Sequence, residues 1–346
     1  MGIIDSTLKN IQPLDAAAMQ SAREMLNNKL KPPGSLGRLE DIAVKLAGMS
    51  GVMGGTIRKK TIIVMCADNG VTEEKVSSFP ADISMLVAET MLKGISGVSV
   101  LARHAGADLK VVDIGLHGDV PDGRIIDRKI RRGTSNMAKG PSMGRAEAER
   151  AVETGMEVTQ AVIDEGADIL GTGEIGIGNT TTASAVLHAL TGEGLDRIVG
   201  RGAGLTDDGL RHKKEVIRRA VELNRPDPND AMDVLARVGG FDIAGLVGCY
   251  LAAAARRKPI VIDGFIAGAA AVAAVKMHSG TRDYMFASHA SAEPGVSAIS
   301  RALGLEPMLA LDMRLGEGTG AALAFHIIEA ALKIMNEMGT FKDIGM

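Results

Sequence analysis

The sequence contains no tryptophan, and aromatic residues make up only 2% of its 346 positions. Proteins that bind single-stranded nucleic acid stack bases on aromatic side chains, so few such surfaces can be built from this chain. Positive charge is not in excess either, because 39 Lys and Arg residues face 42 Asp and Glu residues. The chain therefore lacks a basic footprint for phosphate backbones or anionic lipid. We expect neither nucleic acid nor a membrane surface as its partner.

Cysteine is also scarce. Cys66 and Cys249 have no second Cys or His at metal-ligand spacing, which argues against a disulfide framework and a zinc module. The first residues show no charged region followed by an apolar leader. The apolar stretches 243–255 and 265–275 are shorter than the roughly 18 residues of a membrane span. We expect a cytoplasmic protein without a bound metal.

Glycine is abundant and follows short apolar runs. Five continuous apolar runs end in Gly, Asp, Asn or another small or polar residue, at 60–70, 107–115, 167–176, 259–264 and 284–290. Continuous runs are typical of parallel strands buried on both faces, and helical patterns at 146–164, 208–223 and 230–238 lie between them. The pattern predicts an α/β fold with a doubly wound parallel sheet, whose ligand lies beyond the carboxyl ends of the strands.

The two ends of the chain carry separate helical patterns, at 15–30 and 320–338. Asp15 is a suitable N-cap for the first of them. We expect both ends to pack together as a small helical domain of residues 1–30 and 328–346. Residues 31–327 then form the large α/β catalytic domain.

One glycine string fits the dinucleotide fingerprint. Gly171-TGEIG matches G-x-G-x-x-G, and Asp196 follows about 20 residues later. Glu174, however, would meet a pyrophosphate with a like charge. The string keeps a dinucleotide-binding oxidoreductase open as a less favoured alternative.

The residues after Glu174 suit a single phosphate better. Glycines, an amide and a hydroxyl precede an apolar helix at Gly176, Gly178, Asn179 and Thr180. Backbone N–H groups and a helix N-terminus converge there, which favours a monophosphate cradle. An ordinary Thr-capped helix explains the same pattern equally well.

Two further segments are compatible with ligand binding. Gly202 lies in a glycine turn, and Lys213 follows at a distance from which it can reach a phosphate. Asp263 and Gly264 come directly after an apolar strand, where an Asp binds a hydroxyl or simply caps a helix. The residues alone do not decide between these two roles of Asp263. They also do not decide whether Lys213 binds a phosphate or is a solvated surface lysine.

The candidate acid–base group is Glu317, between Gly316 and Gly318 and ahead of an apolar helix. Packing by Leu315 raises its pKa by desolvation, whereas a nearby helix N-terminus lowers it. The seven His residues include no acid–base pair at short spacing, and no nucleophile elbow is present. Carboxylates must then carry the acid–base chemistry. The alternative is that Glu317 is an ordinary solvated surface residue.

Nine strings in order resemble one family, the nicotinate-nucleotide:dimethylbenzimidazole phosphoribosyltransferases of cobamide assembly. The resemblance runs from about Lys31 to the end of the chain. The strings are Lys31-PPGSLGRLEDIA, Asp68-NGV, Val76-SSFP, Gly133-TSNMAKGPSM, Gly173-EIGIGNTTTASA, Gly200-RGAGL, Asp263-GFIAGAAA, His289-ASAEPG and Leu311-DMRLGEGTGAALA.

The resemblance implies a Rossmann-like sheet with flanking helices, a homodimer, and a reaction that needs no metal or cofactor. Nicotinate mononucleotide gives up nicotinate, and a lower-ligand base takes the 5-phosphoribosyl group with inversion to an α-ribotide. Glu317 matches the general base and Glu174 a second carboxylate at the ribose. Asp263, Gly264 and Ser291 match positions near the nucleotide. The phosphate is expected on Gly176, Gly178, Asn179, Thr180, Gly202 and Lys213.

The chain departs from the family where the acceptor base is expected. Leu86 stands where the family pattern usually has Gln, while Ser78 is retained and Leu315 lies beside the base position. Asn69 and Val296 each replace a common His. Leu cannot bond the second ring nitrogen of a benzimidazole, and an unpaired nitrogen costs about 1–3 kcal/mol.

A phenol has no such nitrogen, so a phenolic acceptor stays open. Family members that glycosylate phenols work as pairs of non-identical subunits, which makes a heterodimer with a paralogous subunit the alternative to a homodimer. A non-catalytic partner subunit remains a further alternative, although such a subunit has no reason to keep both Glu174 and Glu317.

Overall fold

Six parallel strands form a single sheet in the computed structural model, which describes residues 2–345. Their order across the sheet is β3-β2-β1-β4-β5-β6, which is the order of the Rossmann sheet. The predicted fold class is therefore confirmed. The strands are β1 Lys60–Ala67, β2 Ala107–Gly115, β3 Ile126–Asp127, β4 Ile169–Ile175, β5 Ile260–Ile262 and β6 Met285–Ala287. Only β3 was absent from the sequence prediction, because two residues carry no detectable period.

Fourteen α-helices lie in the described part of the chain. The helical patterns at 146–164, 208–223 and 230–238 correspond to α6, α9 and α10 with ends within one or two residues. The helices are α1 Ile3–Lys9, α2 Ala16–Asn27, α3 Arg38–Ser50, α4 Ile83–Leu92, α5 Gly97–Ala105, α6 Arg145–Asp164, α7 Asn179–Thr191, α8 Leu195–Ile198, α9 Asp207–Asn224, α10 Ala231–Val238, α11 Phe241–Ala255, α12 Phe265–Met277, α13 Val296–Leu303 and α14 Thr319–Glu337.

Both faces of the sheet are covered by helices. Seven of the eight residues of β1 are buried, which explains its continuous apolar run. Met65 of β1 lies against Gly245 of α11, whereas Ile62 lies against Gly318 at the start of α14. Residues three apart in a strand point to opposite faces. The helices α11 and α14 therefore cover opposite faces of the same strands.

The two ends of the chain meet beside α3. Lys29 forms an isolated antiparallel bridge with Thr340, and its Nζ donates a hydrogen bond to the carbonyl of Met338 at 2.7 Å. Asp15 caps α2 as expected, accepting from the N–H of Ala18. Helix α14 packs on the sheet as well as on α2 and α3. The division into residues 1–30 with 328–346 and residues 31–327 stays a prediction.

One segment, Ile83–Ala105, is long and apolar enough in composition to cross a membrane. In this fold it is divided into two shorter helices, α4 and α5, separated by a turn at residues 93–96. The sequence analysis did not single out this segment, because the four turn residues interrupt its apolar run.

A close helix contact, between α6 and α11, depends on glycine. A Cβ on Gly155 would overlap the carbonyl oxygen of Gly245, and one on Gly248 would overlap that of Val152. The two backbones therefore approach closely at this crossing. Any side chain at these positions forces the helices apart.

We expect Gly155→Ala to lower the free energy of unfolding by about 1–2 kcal/mol. Overpacking costs roughly 1–3 kcal/mol, which outweighs the gain of about 1 kcal/mol in helix propensity. Urea unfolding monitored by circular dichroism measures the change. Gly140→Ala is the control, because a Cβ there meets nothing within 4 Å. Equal stability of both variants would contradict the packing argument.

Candidate active site

A cleft of about 150 Å³ opens at the carboxyl edge of the sheet. It lies over the carboxyl ends of β4 and β5, next to the reversal of strand order between β1 and β4 that is the usual ligand position in such sheets. The walls come from the loop after β4, the start of α12 and the turn before α14. They consist of residues 174–180, 264–266 and 314–316, with Ser77, Ala203, Ser291 and Glu293.

Buried carboxylates collect at this edge because four parallel strands end there. Asp68 follows β1, Asp113 lies in β2, Glu174 in β4, and Asp263 follows β5. Asp113 is neutralised by Lys129, with its Oδ2 2.8 Å from the lysine Nζ. Burial raises the pKa values of Glu174 and Asp263, and neighbouring carboxylates raise them further.

Glu317 lies in a strained turn directly before α14, and its side chain reaches the start of a different helix, α5. Its φ angle is 63°, and the flanking Gly316 and Gly318 have φ angles of 84° and 103°. Left-handed backbone is costly for a residue other than glycine, and such strain concentrates at functional sites. The Glu317 Oε2 accepts a hydrogen bond from the N–H of Val98 at 3.1 Å, with a second backbone donor at Gly97. The carboxylate therefore sits on the N-terminus of α5.

Two opposing effects set the proton affinity of Glu317. Burial raises the pKa of its carboxyl, and the backbone hydrogen bonds of α5 lower it, with a net rise. A helix N-terminus near this carboxylate was expected from the sequence. The helix that follows Glu317 in sequence, α14, is capped by a different residue.

That residue is Asp263. Its carboxylate accepts hydrogen bonds from the N–H groups of Gly318 at 3.1 Å, Gly320 at 2.7 Å and Ala321 at 3.2 Å. Burial raises its pKa to about 7, against the effect of these donors. Asp263 thus lies behind the cleft wall and fixes the turn that carries Glu317, while Gly264 lines the cleft.

The residues of the predicted phosphate cradle lie together. Gly178 has a φ angle of 89° and directly precedes α7. The Nζ of Lys213 donates to the Thr180 hydroxyl at 2.7 Å and to the carbonyl of Gly200 at 3.3 Å. A Cβ on Gly202 would lie 3.5 Å from the same Nζ. Lys213 is fully buried, which lowers its pKa to about 8.

Glu174 lines the cleft beside this cradle. Its Oε2 accepts a hydrogen bond from the side-chain amide of Asn179. Burial and the neighbouring carboxylate of Asp242 raise the pKa of Glu174 to about 8. The sequence analysis missed Asp242, because it lies in the first turn of the apolar helix α11 and belongs to no motif.

The residues expected at the acceptor base are spread more widely. Leu315 lines the cleft, but Ser78 and Leu86 do not. Ser291, which was expected near the nucleotide, also lines the cleft. Ser77 lines the cleft in place of its neighbour Ser78, and only the path of the backbone distinguishes the two serines. Leu86 is 48% exposed on α4.

Two other cleft residues, Glu293 and Arg314, were not singled out. Each belongs to a string quoted for the resemblance, so membership of a motif was the available signal. Among residues 2–345, no group of three or more His, Cys, Asp or Glu side chains is placed to hold a metal ion.

The dinucleotide fingerprint does not form a loop. Gly171 and Gly173 lie inside β4. A Cβ on Gly171 would contact Ala321 and Phe325 of α14, and one on Gly173 would overlap the backbone of Glu317. These two glycines let α14 and its turn approach the sheet.

Comparison with known proteins identifies the class of enzyme. A family model described as "Phosphoribosyltransferase" matches residues 11–346. The chain is thus a phosphoribosyltransferase, within the glycosyltransferases.

Individual relatives narrow this class. The chain is 52% identical to a nicotinate-nucleotide–dimethylbenzimidazole phosphoribosyltransferase of Ruminiclostridium cellulolyticum, over 98% of this chain and 96% of the relative. It is 51% identical to the enzyme of the same name from Acetivibrio thermocellus, over 97% and 96%. A crystal structure of that enzyme from Thermus thermophilus superposes with a TM-score of 0.91 at 39% identity, over 96% and 99%. The chain belongs to the nicotinate-nucleotide–dimethylbenzimidazole phosphoribosyltransferase family.

The buried carboxylates predict how stability depends on pH. Glu174, Asp242 and Asp263 have folded pKa values of about 8, 7 and 7, above the values near 4 of the unfolded chain. The folded state binds more protons, so this stabilisation is complete below pH 4 and is lost as pH rises through 7–8. His289, whose burial lowers its pKa, acts in the opposite direction.

We therefore expect the free energy of unfolding to fall by several kcal/mol between pH 5 and pH 8, because each of the three groups contributes about 1.4 kcal/mol per unit of pH until it ionises. Urea titrations at several pH values measure it. Glu174→Gln removes one of the three groups and is expected to flatten the decline. A stability that rises across this window contradicts the assignment of raised pKa values.

Proposed function

We propose that the protein transfers the 5-phosphoribosyl group of nicotinate mononucleotide to a lower-ligand base of the 5,6-dimethylbenzimidazole type. Nicotinate leaves and an α-ribotide forms. The observation that carries the proposal is a pair of buried carboxylates: Glu174 lines the cleft, and Glu317 directly follows the cleft residue Gly316 and lies behind it, against α5. The printed names of the relatives supply the nucleotide and the base.

Nicotinate is a good leaving group, because its ring is a cationic pyridinium in the nucleotide. Catalysis consists mainly of orienting the acceptor at C1′ and removing its proton. The acceptor nitrogen forms a bond to C1′ from the face opposite the pyridinium, and the C1′–N bond to nicotinate breaks with its electron pair. The acceptor N–H proton passes to Glu317. A carboxylate with a raised pKa is the stronger base for this step.

Glu174 and the cradle hold the nucleotide. As a carboxylate in the cleft wall, Glu174 bonds the ribose hydroxyls and stabilises positive charge that develops at C1′. The phosphate binds the backbone N–H groups at Gly176 to Thr180, and the Lys213 ammonium provides a charge-assisted bond. Gly202, Gly264 and Ser291 complete the nucleotide site. Asp263 acts on the nucleotide through the turn that it caps.

We expect Glu317→Gln to lower turnover about 10²–10⁴-fold, the usual effect of losing a general base. Nucleotide affinity stays nearly unchanged, because the amide keeps the size of the side chain. Nicotinate release from nicotinate mononucleotide with dimethylbenzimidazole measures turnover, and calorimetry measures the affinity. Glu222→Gln, on the exposed face of α9, is the matched control. Near-normal turnover of a folded Glu317→Gln variant removes Glu317 from the mechanism.

The same assay separates the alternatives. Nicotinate release by the purified chain alone contradicts a role as a non-catalytic partner subunit. A folded chain that binds NAD but not nicotinate mononucleotide contradicts the whole proposal and favours the oxidoreductase.

A second chain is part of the proposed active unit. Apolar side chains on or near α4 and α5 are strongly exposed, and Leu315 of the cleft is 60% exposed. Such surface is unusual on a monomer. The exposed side chains are Phe79 at 50%, Leu86 at 48%, Ile95 at 68% and Val100 at 49%.

We infer that a homodimer, or a heterodimer with a paralogous subunit, covers these side chains and encloses the acceptor base. A single-chain mass in sedimentation experiments contradicts this arrangement.

The buried thiols of Cys66 and Cys249 are both free, which suits a reducing cytoplasm.

A phenolic acceptor is the second candidate, and Leu86 is the observation that favours it. We expect Leu86→Gln to raise kcat/KM for dimethylbenzimidazole relative to phenol by about tenfold, the value of one recovered hydrogen bond. Leu223→Gln is the control, since Leu223 is similarly exposed, at 53%, on α9. An unchanged ratio means that Leu86 does not contact the base and ends the argument for phenol.

A further inference from the structure

One amide group bridges two buried carboxylates behind the cleft. The Asn179 Nδ2 donates to Glu174 Oε2 and to Asp242 Oδ2, the second at 3.0 Å. Each carboxylate receives one hydrogen of this amide. Because the amide carries no charge, it does not neutralise either carboxylate. Glu174 reaches the cleft, whereas Asp242 is completely enclosed.

The second oxygen of Asp242 is poorly satisfied. Asp242 Oδ1 is buried without a side-chain donor among residues 2–345. Besides the Asn179 amide, only the backbone N–H groups of Asp242 and Ile243, at the start of α11, act on this carboxyl to lower its pKa. A methyl group on Gly240 would touch both this atom and the Oδ1 of Asn69, so the two oxygens face the same small space. Asn69 Oδ1 already accepts a hydrogen bond from the Thr182 hydroxyl. The Asn69 Nδ2 is also buried without a partner among the described residues, so two arrangements satisfy Asp242 Oδ1: a proton on this oxygen, or the opposite orientation of the Asn69 amide.

The groups around Asp242 add like charge. Asp68, at the end of β1, raises the pKa of Asp242, and its own carboxylate lies 3.2 Å from the Nδ1 of His117. The thiol of Cys66 in β1 is kept neutral by burial, which raises its pKa. The guanidinium on this side, Arg131, stacks on the ring of Phe241 and bonds Glu147 instead.

Glu174 is likewise surrounded by acidic groups. Besides Asp242, the carboxylates of Asp263 and Glu317 raise its pKa. Carboxylates that share a buried site cannot both ionise near neutral pH, and such a pair titrates as a unit. The pair of Glu174 and Asp242 therefore carries one negative charge and one proton.

We propose that Asp242 is a positioning residue that competes with Glu174 for this single charge, and that the cationic nucleotide draws the charge onto Glu174 while the proton rests on Asp242 Oδ1. The inference rests on the proposed function. No proton is lost in this step, because the one that leaves the Glu174 carboxyl is taken up by Asp242. The pyridinium selects the ionised state of Glu174 because only Glu174 faces the cleft.

Asp242→Asn tests the proposal, because the variant is neutral and still accepts from Asn179. Glu174 then holds the charge before the nucleotide arrives. We expect the acidic limb of nicotinate mononucleotide affinity, measured by calorimetry from pH 5.5 to 8.5, to move down by about one pH unit or more. The kcat at saturating nucleotide changes less than about threefold, since the bound state already has this charge arrangement. Asp113→Asn, another buried strand-end carboxylate, is expected to leave the limb in place.

An unmoved limb, or a folded Asp242→Asn variant with strongly reduced kcat, overturns the proposal. Nucleotide that fails to bind the wild-type protein contradicts the proposed function instead. A measurement on the wild-type chain covers the case in which Asp242→Asn does not fold. The ¹³C-labelled carboxyl of Glu174, assigned by its loss in Glu174→Gln, is expected to titrate in two steps. A single step shows that the two carboxylates are uncoupled and rejects the inference.

Discussion

The carboxylate of Asp263 is the interaction on which the site depends. It follows β5 and caps α14 with three backbone hydrogen bonds, from Gly318, Gly320 and Ala321. The cap anchors the strained turn to the sheet at the position where Glu317 points away toward α5. Gly173 permits this because its lack of a side chain lets the backbone of Glu317 rest on β4. The cap at Asp263 fixes the backbone of this turn, while the N–H groups of α5 hold the side chain of Glu317, the proposed general base.

The same edge of the sheet gathers the negative charges of the site. Parallel strands bring their ends together, and among residues 2–345 no cation neutralises the carboxylates that lie near these ends, which are Glu174, Asp242 and Asp263. These carboxylates have different hydrogen-bond donors. Backbone N–H groups donate to Asp263 and Glu317, and the side-chain amide of Asn179 donates to both Glu174 and Asp242. This accumulation of acid reduces stability at neutral pH, and it suits a substrate that carries positive charge on its ring.

The phosphate end of the cleft balances this acidity. Lys213 is fully buried and bound to a hydroxyl and a carbonyl, with no ion pair in the described residues. In the proposed complex, the phosphate of the nucleotide adds a counter-charge to that of the nearby Glu293. The proposed phosphate site then binds the anionic end of the nucleotide, and the carboxylates face its pyridinium. The exposed apolar surface near α4 and α5 is where we propose that a second chain covers the acceptor side.

Much of this architecture was already present in the sequence. The five longer strands, the cap at Asp15 and the glycine-rich turn at 176–180 are local features, and runs and periodicity of neighbouring residues reveal them. The nine ordered strings also indicated the family.

Tertiary structure alone decided which groups meet. Glu317 is held by Val98, 219 residues away, Lys213 by Thr180, and Asp242 by Asn179. It also turned Ser77, rather than Ser78, into the cleft and left Leu86 on the surface. Local patterns report whether a residue is buried, but not which distant residue lies opposite, because that depends on the order and packing of whole strands and helices.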